Sequence, residues 1–416
     1  MAQQVDVLVI GGGVVGICAA HFLREQGREV TVVEKDEVCA GSSYGNAGLI
    51  VPSHSVPLAE PGVIAQGLRW MFDPDSPFYI KWRWDLDLVA WLWQFRKAST
   101  MRRVRQAMPL LRDMHLESFR LYEALAAELD FAFGHEGRLL LCKTEQGMES
   151  VHEEAELMQE IGIEVEMVDA QQAQERAAVV ELDCVGGAFY AQDAHLDPAR
   201  LVLALAARCV ERGVQLNEKT EVLGFGKQGR RLQVVETTRG DFAADEVVLC
   251  SGAWSPGVGR ELSLSLPVQP AKGYSVTVHK PDPCPEVPLM MVEARVGTTP
   301  MGDKLRFAGT LELAGMDTSI NRRRVAAIVN AVPRYIPAWT PDALELIEVW
   351  RGLRPCTPDG LPFLGRPRDY DNLTVAAGHA MVGVSLGAVT GVVTARVVQG
   401  EEPGFDLSLC NVDRFG

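Results

Sequence analysis

Cysteine usage excludes two common structural devices. The nine cysteines are odd in number and scattered along the chain, and none belongs to a Cys-x-x-Cys pair. This pattern excludes a disulfide framework and a zinc site, so we expect no metal and a reducing, cytoplasmic location. No apolar run of transmembrane length is free of charges, and a strand pattern already begins at residue 5, which leaves no room for a cleavable leader.

Positive charge is also in short supply. The chain has 40 Lys and Arg against 55 Asp and Glu, a formal net charge of −15. This balance disfavours nucleic acid as a partner and gives no overall basic platform for anionic lipid. No His–carboxylate or Ser–His constellation stands out either. The 416 residues, 47% hydrophobic with 39 Gly, instead suit a two-domain globular α/β enzyme.

The first 36 residues carry a dinucleotide-binding pattern. A buried-strand pattern over residues 5–10 runs into Gly11, Gly13 and Gly16, followed by a helix pattern and a second strand that ends at Glu34. In this order the glycines serve the tight turn, the approach of a pyrophosphate and helix–strand packing, and the acid accepts a ribose hydroxyl. Glu34 argues against the 2′-phosphate of NADP, and FAD and NAD both remain open.

A small polar loop, residues 37–51, follows the acid-bearing strand. Its Ser42, Ser43, Asn46 and Gly48 offer hydroxyl, amide and backbone groups with little bulk. Such a segment suits either the edge of a flat ring or an ordinary surface loop rich in turn formers.

Later segments repeat the style of the first. Residues 214–222 predict a strand that ends at Val222. Apolar strand patterns also end near Gly252 and near Gly378, each followed by a turn, and a helix is predicted from about residue 383 to residue 398. The nucleotide domain is therefore interrupted. We predict that it comprises residues 1–55, 190–262 and 346–416, and that a second domain comprises residues 56–189 and 263–345.

An aromatic-rich stretch lies within residues 60–125. It contains five of the eight tryptophans, together with Arg69, Lys81, Arg83 and Arg96. Such a stretch suits peripheral docking at a membrane interface, or the core and the walls of a substrate pocket. The second arrangement is the more common of the two.

With these segments in place, the chain resembles the FAD-dependent amine oxidoreductases, which include D-amino acid oxidase, glycine oxidase and sarcosine oxidase. It is most similar to the D-amino acid dehydrogenase branch with its D-proline and hydroxyproline dehydrogenase relatives. The resemblance covers nearly the whole chain. The motifs that carry it are, in order, VIGGGVVG, VVEKD, GSSYGNAGLI, DPDSPFYI, LDPARL, VVLCSGAWS, PAKGYS, GLRPCTPDGLPFLG and GHAMVGVSLGAVTG.

The resemblance implies an α/β fold, in which an interrupted Rossmann-type FAD-binding domain joins an α+β substrate domain built on a large mixed or antiparallel sheet. It also implies the residues that hold FAD. Gly11, Gly13, Val14, Val15, Gly16, Glu34 and Lys35 would hold the ADP half, and Val222 the adenine; Ser42, Ser43, Asn46, Ala47, Gly48 and Leu49 would follow the flavin ring; Ser251, Gly252, Gly378, His379, Met381, Val382 and Gly383 would complete the site. The loop lacks a His for covalent attachment and Cys356 is out of register, so we expect non-covalent FAD.

The same resemblance implies the chemistry. Arg354 in GLRP matches the arginine that binds the substrate carboxylate, and Tyr274 in KGYS would close the substrate site. The expected reaction is oxidative deamination of a D-amino acid by hydride transfer, with a quinone-like or dye-like acceptor and D-proline or hydroxyproline among the candidate substrates. Two alternatives stay open: a glycine- or sarcosine-type oxidase that uses O₂, and an FAD-bearing subunit of a multi-subunit dehydrogenase. The oligomeric state stays open as well.

Overall fold

Two large β-sheets organise the computed structural model, which describes residues 2–64, 67, 76–81 and 83–416. In chain order the strands are β1 Gln3–Ile10, β2 Val30–Val33, β3 Leu49–Ile50, β4 Phe78–Ile80, β5 Arg138–Cys142, β6 Glu166–Asp169, β7 Gly186–Tyr190, β8 Ala194–His195, β9 Gln215–Asn217, β10 Val222–Gln228, β11 Arg231–Thr237, β12 Phe242–Leu249, β13 Gln269–His279, β14 Leu289–Met291, β15 Val296–Met301, β16 Lys304–Leu313, β17 Leu346–Cys356, β18 Phe363–Gly365 and β19 Leu373–Ala377.

Helices connect and cover these sheets. They are α1 Val14–Glu25, α2 Leu86–Ala98, α3 Met101–Ala126, α4 Glu145–Glu160, α5 Ala170–Arg176, α6 Pro198–Glu211, α7 Ser255–Glu261, α8 Arg322–Ala331 and α9 Gly387–Gln399, with short 3₁₀ turns at Gly252–Trp254, Val332–Arg334, Pro341–Ala343 and Ser408–Cys410. Among the described residues, no helix is both long enough and apolar enough to cross a bilayer.

The first sheet has a parallel centre in the order β9, β2, β1, β12 and β19. Val7, Leu8 and Val9 of β1 are completely buried, as expected for a strand covered on both faces. Helix α1 packs between α6 and α9, and α9 also packs on α3, so one face of the sheet is covered by helices. The carboxyl ends of β1 and β12 therefore meet at one edge, where an α/β sheet binds its ligand.

The second sheet is mixed and carries nine strands, in the order β17, β13, β16, β15, β14, β5, β7 and β6, with β4 beside β16. Helix α8 covers one face of β13 and β16. The predicted fold class, an interrupted nucleotide domain plus a domain on a large mixed sheet, agrees with this architecture.

Three local predictions differ from the structure. The strand expected to end at Val222 ends at Asn217, because Lys219 takes a left-handed conformation (φ 56°) and Val222 opens β10 instead. The helix expected from about residue 383 begins at Gly387. Strand β17, which was placed with the nucleotide domain, pairs with β13 in the second sheet. The motif DPDSPFYI, Arg69, and the tryptophans at positions 70 and 82 lie partly or wholly outside the described residues.

Burial keeps five of the eight histidines neutral, and this predicts an acid-sensitive fold. It lowers the pKa of His21, His54, His195 and His379 to about 4 and that of His115 to about 3. In the unfolded chain each titrates near ~6.5. The unfolded state therefore binds more protons between these values, and the free energy of unfolding falls as the pH is lowered. We expect the urea concentration at the midpoint of unfolding to be lower at about pH 5 than at about pH 7. An unchanged midpoint concentration would contradict this.

Candidate active site

The glycine loop after β1 is built by two contacts that leave no room for side chains. Gly11 has φ 115°, and a Cβ on it would lie 2.5 Å from the carbonyl oxygen of Cys250. A Cβ on Gly16 would lie 1.9 Å from the carbonyl oxygen of Gly11. The turn, the end of β12 and the first turn of α1 therefore contact each other through backbone alone, as a dinucleotide fold requires.

The N-terminus of α1 is open to an anion. Its N-cap is Gly13, which has no side chain to cap the helix, and the first turn carries no acidic residue. Ser43 accepts a hydrogen bond from the Val14 N–H at 3.0 Å, which ties the polar loop to this helix end. Val15 and Gly16 present the next N–H groups of the first turn, where a helix has no internal partners to offer.

Glu34 stands at the end of β2 beside the glycine loop. Its carboxylate accepts from the N–H of Gly12 at 2.7 Å and from the N–H of Asp36 at 2.9 Å. A carboxylate has further acceptor positions, so a ribose hydroxyl can be bound as well. The neighbouring Lys35 pairs with Asp36 and lies 4.6 Å from the centre of the Trp254 ring, at the end of the loop that begins with Ser251 and Gly252.

The polar loop that ends in Ala47, Gly48 and Leu49 is held by two strands of the second sheet. Ser42 donates to the carbonyl oxygen of Leu353 in β17. The side chain of Asn46 accepts from the Gly48 N–H at 2.8 Å. The buried Arg306 in β16 donates to the carbonyl oxygens of Tyr44 (3.2 Å) and Asn46 (2.9 Å). Sequence analysis missed Arg306, because its role depends on two carbonyl oxygens that are distant in sequence.

The contacts of Arg306 predict how a substitution at this position changes the affinity for FAD. Arg306→Lys keeps the charge but loses the planar guanidinium, whose Nε bonds the Thr277 hydroxyl while Nη1 reaches the two carbonyl oxygens of the loop. We expect the dissociation constant of FAD to rise roughly tenfold, because about one charged hydrogen bond to the loop is lost. Arg351→Lys, whose guanidinium bonds the Thr318 carbonyl outside this loop, is the matched control. Equal FAD affinity in the two variants, measured by flavin fluorescence, would show that Arg306 does not order the cofactor site.

The sheet face below the loop carries buried hydroxyls. Thr277 and Thr299 are cross-strand neighbours of Arg306, and Ser275 lies two residues from Thr277, so all face the same side. The hydroxyls of Ser275 and Thr299 are buried and have no hydrogen-bond partner among the described residues. Buried polar groups of this kind are normally satisfied. A polar planar group such as a flavin edge, placed between this face and the loop, fits that requirement.

Arg354 is the cation of this face. Its side chain crosses β13 at Gly273, where a Cβ would lie 1.9 Å from Nη1. Nη1 donates to the carbonyl oxygen of Thr310 at 3.0 Å, and no carboxylate pairs with the guanidinium within the described part of the chain. Burial lowers the pKa of Arg354. A half-buried guanidinium without an anion is suited to bind an incoming carboxylate.

Trp350 lies four residues from Arg354 along β17, on the same face of the sheet, and forms a wall of the site. Cβ atoms on Gly45 and Gly352 would lie 2.2 Å and 2.0 Å from its ring, and its ring centre is 6.5 Å from that of Tyr44. The indole therefore packs against Gly45 of the polar loop and against Gly352 of β17. Sequence analysis did not single out this residue, because its importance depends on two glycines that are distant in sequence.

The C-terminal turn closes the site from a third side. Gly378 has φ 82°, and a Cβ on it would lie 2.6 Å from Thr357 Cγ2. His379 is buried, and its Nε2 lies 3.0 Å from the Thr390 hydroxyl. The backbone N–H of Ala380 donates to the Pro355 carbonyl oxygen at 2.9 Å, next to Arg354. Met381, Val382 and Gly383 follow, half-buried, before α9 begins.

One predicted site residue lies elsewhere. Tyr274 is adjacent to Gly273 in β13 and so faces the opposite side of the sheet from Arg354. Its hydroxyl donates to Glu312 at 3.0 Å, in a buried network with Lys272 and Arg324 under α8. This position does not support the role that the resemblance implied for Tyr274. Val222 opens β10, two residues after Thr220, whose N–H donates to the carbonyl oxygen of Glu34 at 2.7 Å, and its contact with the adenine stays a prediction.

Comparison with known proteins agrees with this geometry. A family model described as "DAO: FAD dependent oxidoreductase" matches residues 6–397. The D-amino acid dehydrogenase of Granulibacter bethesdensis is 30% identical over 98% of this chain and 99% of its own. That of Methylobacterium nodulans is 33% identical over 95% and 96%. The crystal structure of glycine oxidase from Geobacillus kaustophilus superposes with a TM-score of 0.82 at 25% identity, covering 99% of both chains.

Proposed function

Because the chain belongs to the DAO family of FAD dependent oxidoreductases, we propose that it is a dehydrogenase of D-amino acids. In the proposed reaction the α-hydrogen leaves with its electron pair as hydride, and the nitrogen lone pair completes an imino acid. Water then hydrolyses the imino acid to the 2-oxo acid, and a quinone-like or dye-like acceptor takes the two electrons. The relatives named D-amino acid dehydrogenase support this substrate class.

FAD, when bound, supplies the hydride acceptor. We place its pyrophosphate over the glycine loop and the open end of α1, and its ribose at Glu34. The polar loop and the sheet face of Ser275 and Thr299 would hold its ring. No covalent attachment is proposed, because Cys356 is fully buried in an apolar cluster. Its carbonyl oxygen accepts a hydrogen bond from Trp91 Nε1 at 3.0 Å.

The unpaired guanidinium of Arg354 is the observation that carries the proposal. Two parallel hydrogen bonds to a carboxylate would fix the substrate against β13, with its α-carbon turned towards the polar loop and the ring. Gly273 leaves room for this approach. A neutral amine is sufficient to drive hydride loss, so no separate general base is required of the chain.

The sheet face beside Arg354 is apolar. Ala271 pairs with Arg354 across β13 and β17, and it belongs to a buried cluster with Cys356, Ala380 and Trp91. A small apolar or cyclic side chain would bury its surface there without leaving a polar group unpaired. We therefore propose D-proline as the first substrate to test, and we expect hydroxyproline, whose added hydroxyl finds no partner there, to react more slowly.

Anaerobic bleaching of the flavin tests the proposal. Purified protein is mixed without oxygen with a panel of paired D- and L-amino acids, including both enantiomers of proline and hydroxyproline. We expect rapid bleaching by D-amino acids and slow or no bleaching by their L-enantiomers. Bleaching by L-amino acids alone would refute the D assignment, and no bleaching by any amino acid would refute the proposed reaction.

The likeness to glycine oxidase favours one alternative, an oxidase that reduces O₂. Hydrogen peroxide formed in air separates the two. A dehydrogenase is expected to reduce a quinone analogue or a dye much faster than it produces peroxide. Peroxide produced at the rate of substrate loss would instead assign the oxidase reaction.

A further inference from the structure

Helix α2 is apolar on two opposite sides, which is unusual for a helix at a protein surface. Its inner side carries Leu88, Trp91, Phe95 and Ala98, which pack in the cluster that also holds Ala271 and Cys356. This side satisfies the ordinary amphipathic rule. The opposite side should then be polar, and it is not.

The outer side of α2 presents Leu86, Val89 and Trp93, which are 87%, 62% and 58% exposed. Their spacing places them on one side of the helix. Trp84, just before the helix, is 95% exposed. A helix that is apolar all round is normally buried. We call Leu86, Val89 and Trp93 the outer face of α2.

The charge of the residues around α2 indicates which kind of surface binds the outer face. Residues 81–105 contain seven Lys or Arg against two Asp, a local excess of five positive charges in a chain of net charge −15. Lys97 lies 3.3 Å from the centre of the Trp93 ring. Arg96, Arg102 and Arg103 are exposed, and no carboxylate pairs with them within the described ranges. Tryptophan, leucine and basic residues together are the composition of interfacial helices on anionic membranes.

A cleft continues the outer face towards the protein. It has a volume of about 420 Å³ and is lined by Trp93, Lys97 and Arg103, and also by Arg414, which is paired with Asp359 at 2.8 Å on the same wall. Gln94, on the same wall, has a buried side-chain oxygen without a partner among the described residues. An aromatic ring and two cations without a carboxylate partner in the described part of the chain, Lys97 and Arg103, suit an anionic lipid headgroup at the edge of a docked helix.

We propose that the outer face of α2 docks on the surface of a lipid bilayer that contains anionic lipid. The docking deepens the proposed function, and only its link to a quinone acceptor rests on that function. The inner side of the same helix packs beside Arg354's neighbours Ala271 and Cys356. Docking would thus bring the substrate site within about one helix diameter, ~10 Å, of the membrane interface, where a lipid-soluble acceptor resides.

Co-sedimentation of the full-length holoenzyme with vesicles tests the docking. We compare neutral phosphatidylcholine vesicles with vesicles that also contain phosphatidylglycerol. The variants are Trp93→Glu on the outer face, and Lys97→Glu with Arg103→Glu beside it. Leu203→Glu is the matched control, because Leu203 is 50% exposed on α6, a different surface helix.

We expect wild-type protein and Leu203→Glu to bind vesicles containing phosphatidylglycerol, and both outer-face variants to bind them roughly tenfold more weakly. Equal binding of all variants, or no preference for phosphatidylglycerol, would overturn the proposal. A change of oligomeric state in Trp93→Glu without vesicle binding by the wild type would assign the face to a protein contact and would also overturn it. Dye reduction by each variant, measured without vesicles, reports separately on the proposed reaction.

Discussion

Arg354→Ala will slow flavin reduction by a D-amino acid by roughly 10²–10⁴-fold, expressed as kcat/KM. In the proposed reaction the guanidinium binds the carboxylate and orients the α-carbon. Its loss is therefore expected to raise KM and to lower kcat together. The kcat/KM of Arg354→Lys should fall between those of the wild type and Arg354→Ala, since one charge remains but the two parallel hydrogen bonds do not. Stopped-flow reduction under anaerobic conditions measures these effects.

Arg351→Ala is the control for this experiment. Arg351 lies on the same strand, but its guanidinium donates to the Thr318 carbonyl oxygen at 2.8 Å, away from Gly273. It should keep nearly full activity, and all variants should keep their FAD. An Arg354→Ala enzyme that still reduces its flavin at the wild-type rate would show that the carboxylate is bound elsewhere.

Gly16→Ala will prevent stable binding of FAD. The added Cβ would lie 1.9 Å from the carbonyl oxygen of Gly11, and that oxygen belongs to backbone fixed between β1 and β12. The helix must shift away from the strand, which moves the N–H groups that we propose bind the pyrophosphate. We expect the dissociation constant of FAD to rise roughly 10²-fold or more, equivalent to about 3 kcal/mol of strain.

Gly257→Ala separates this effect from a general cost of replacing glycine. Gly257 lies in α7, and nothing lies within 4 Å of a Cβ placed there. This variant should be as stable as the wild type or slightly more so, with full FAD content. Titration of the apoproteins with FAD, followed by flavin fluorescence, measures both. Normal FAD affinity in Gly16→Ala would contradict the assignment of this turn as the pyrophosphate site.

Local pattern explains why the nucleotide half was predictable. Strand β1, the glycine turn, α1, β2 and Glu34 follow one another within 34 residues, and each depends on neighbours close in sequence. Turn geometry, helix start and strand periodicity are local properties. The resemblance to the FAD-dependent amine oxidoreductases then placed Arg354, and the family match confirms the resemblance.

The substrate half depends on contacts between distant segments, which sequence patterns do not contain. Arg306 reaches carbonyl oxygens 262 and 260 residues away, and Trp350 fills the space over Gly45 and Gly352. Tyr274 was predicted to close the substrate site, but it lies on the opposite face of the sheet from Arg354. Its orientation is fixed by the pairing of β13 with β17, which the sequence does not show. Strand β17 itself was assigned to the other domain, since a strand pattern does not reveal which strand it pairs with.

The most direct test of the central claim compares a D-amino acid with its own α-carboxamide. The claim is that Arg354 binds the substrate carboxylate while the α-hydrogen passes to FAD. Anaerobic single-turnover flavin reduction is measured for both compounds in the wild type and in Arg354→Ala. We predict fast reduction only for the D-amino acid in the wild type, and a slow rate common to the other three combinations. Equal rates for the amino acid and its carboxamide in the wild type would contradict the claim.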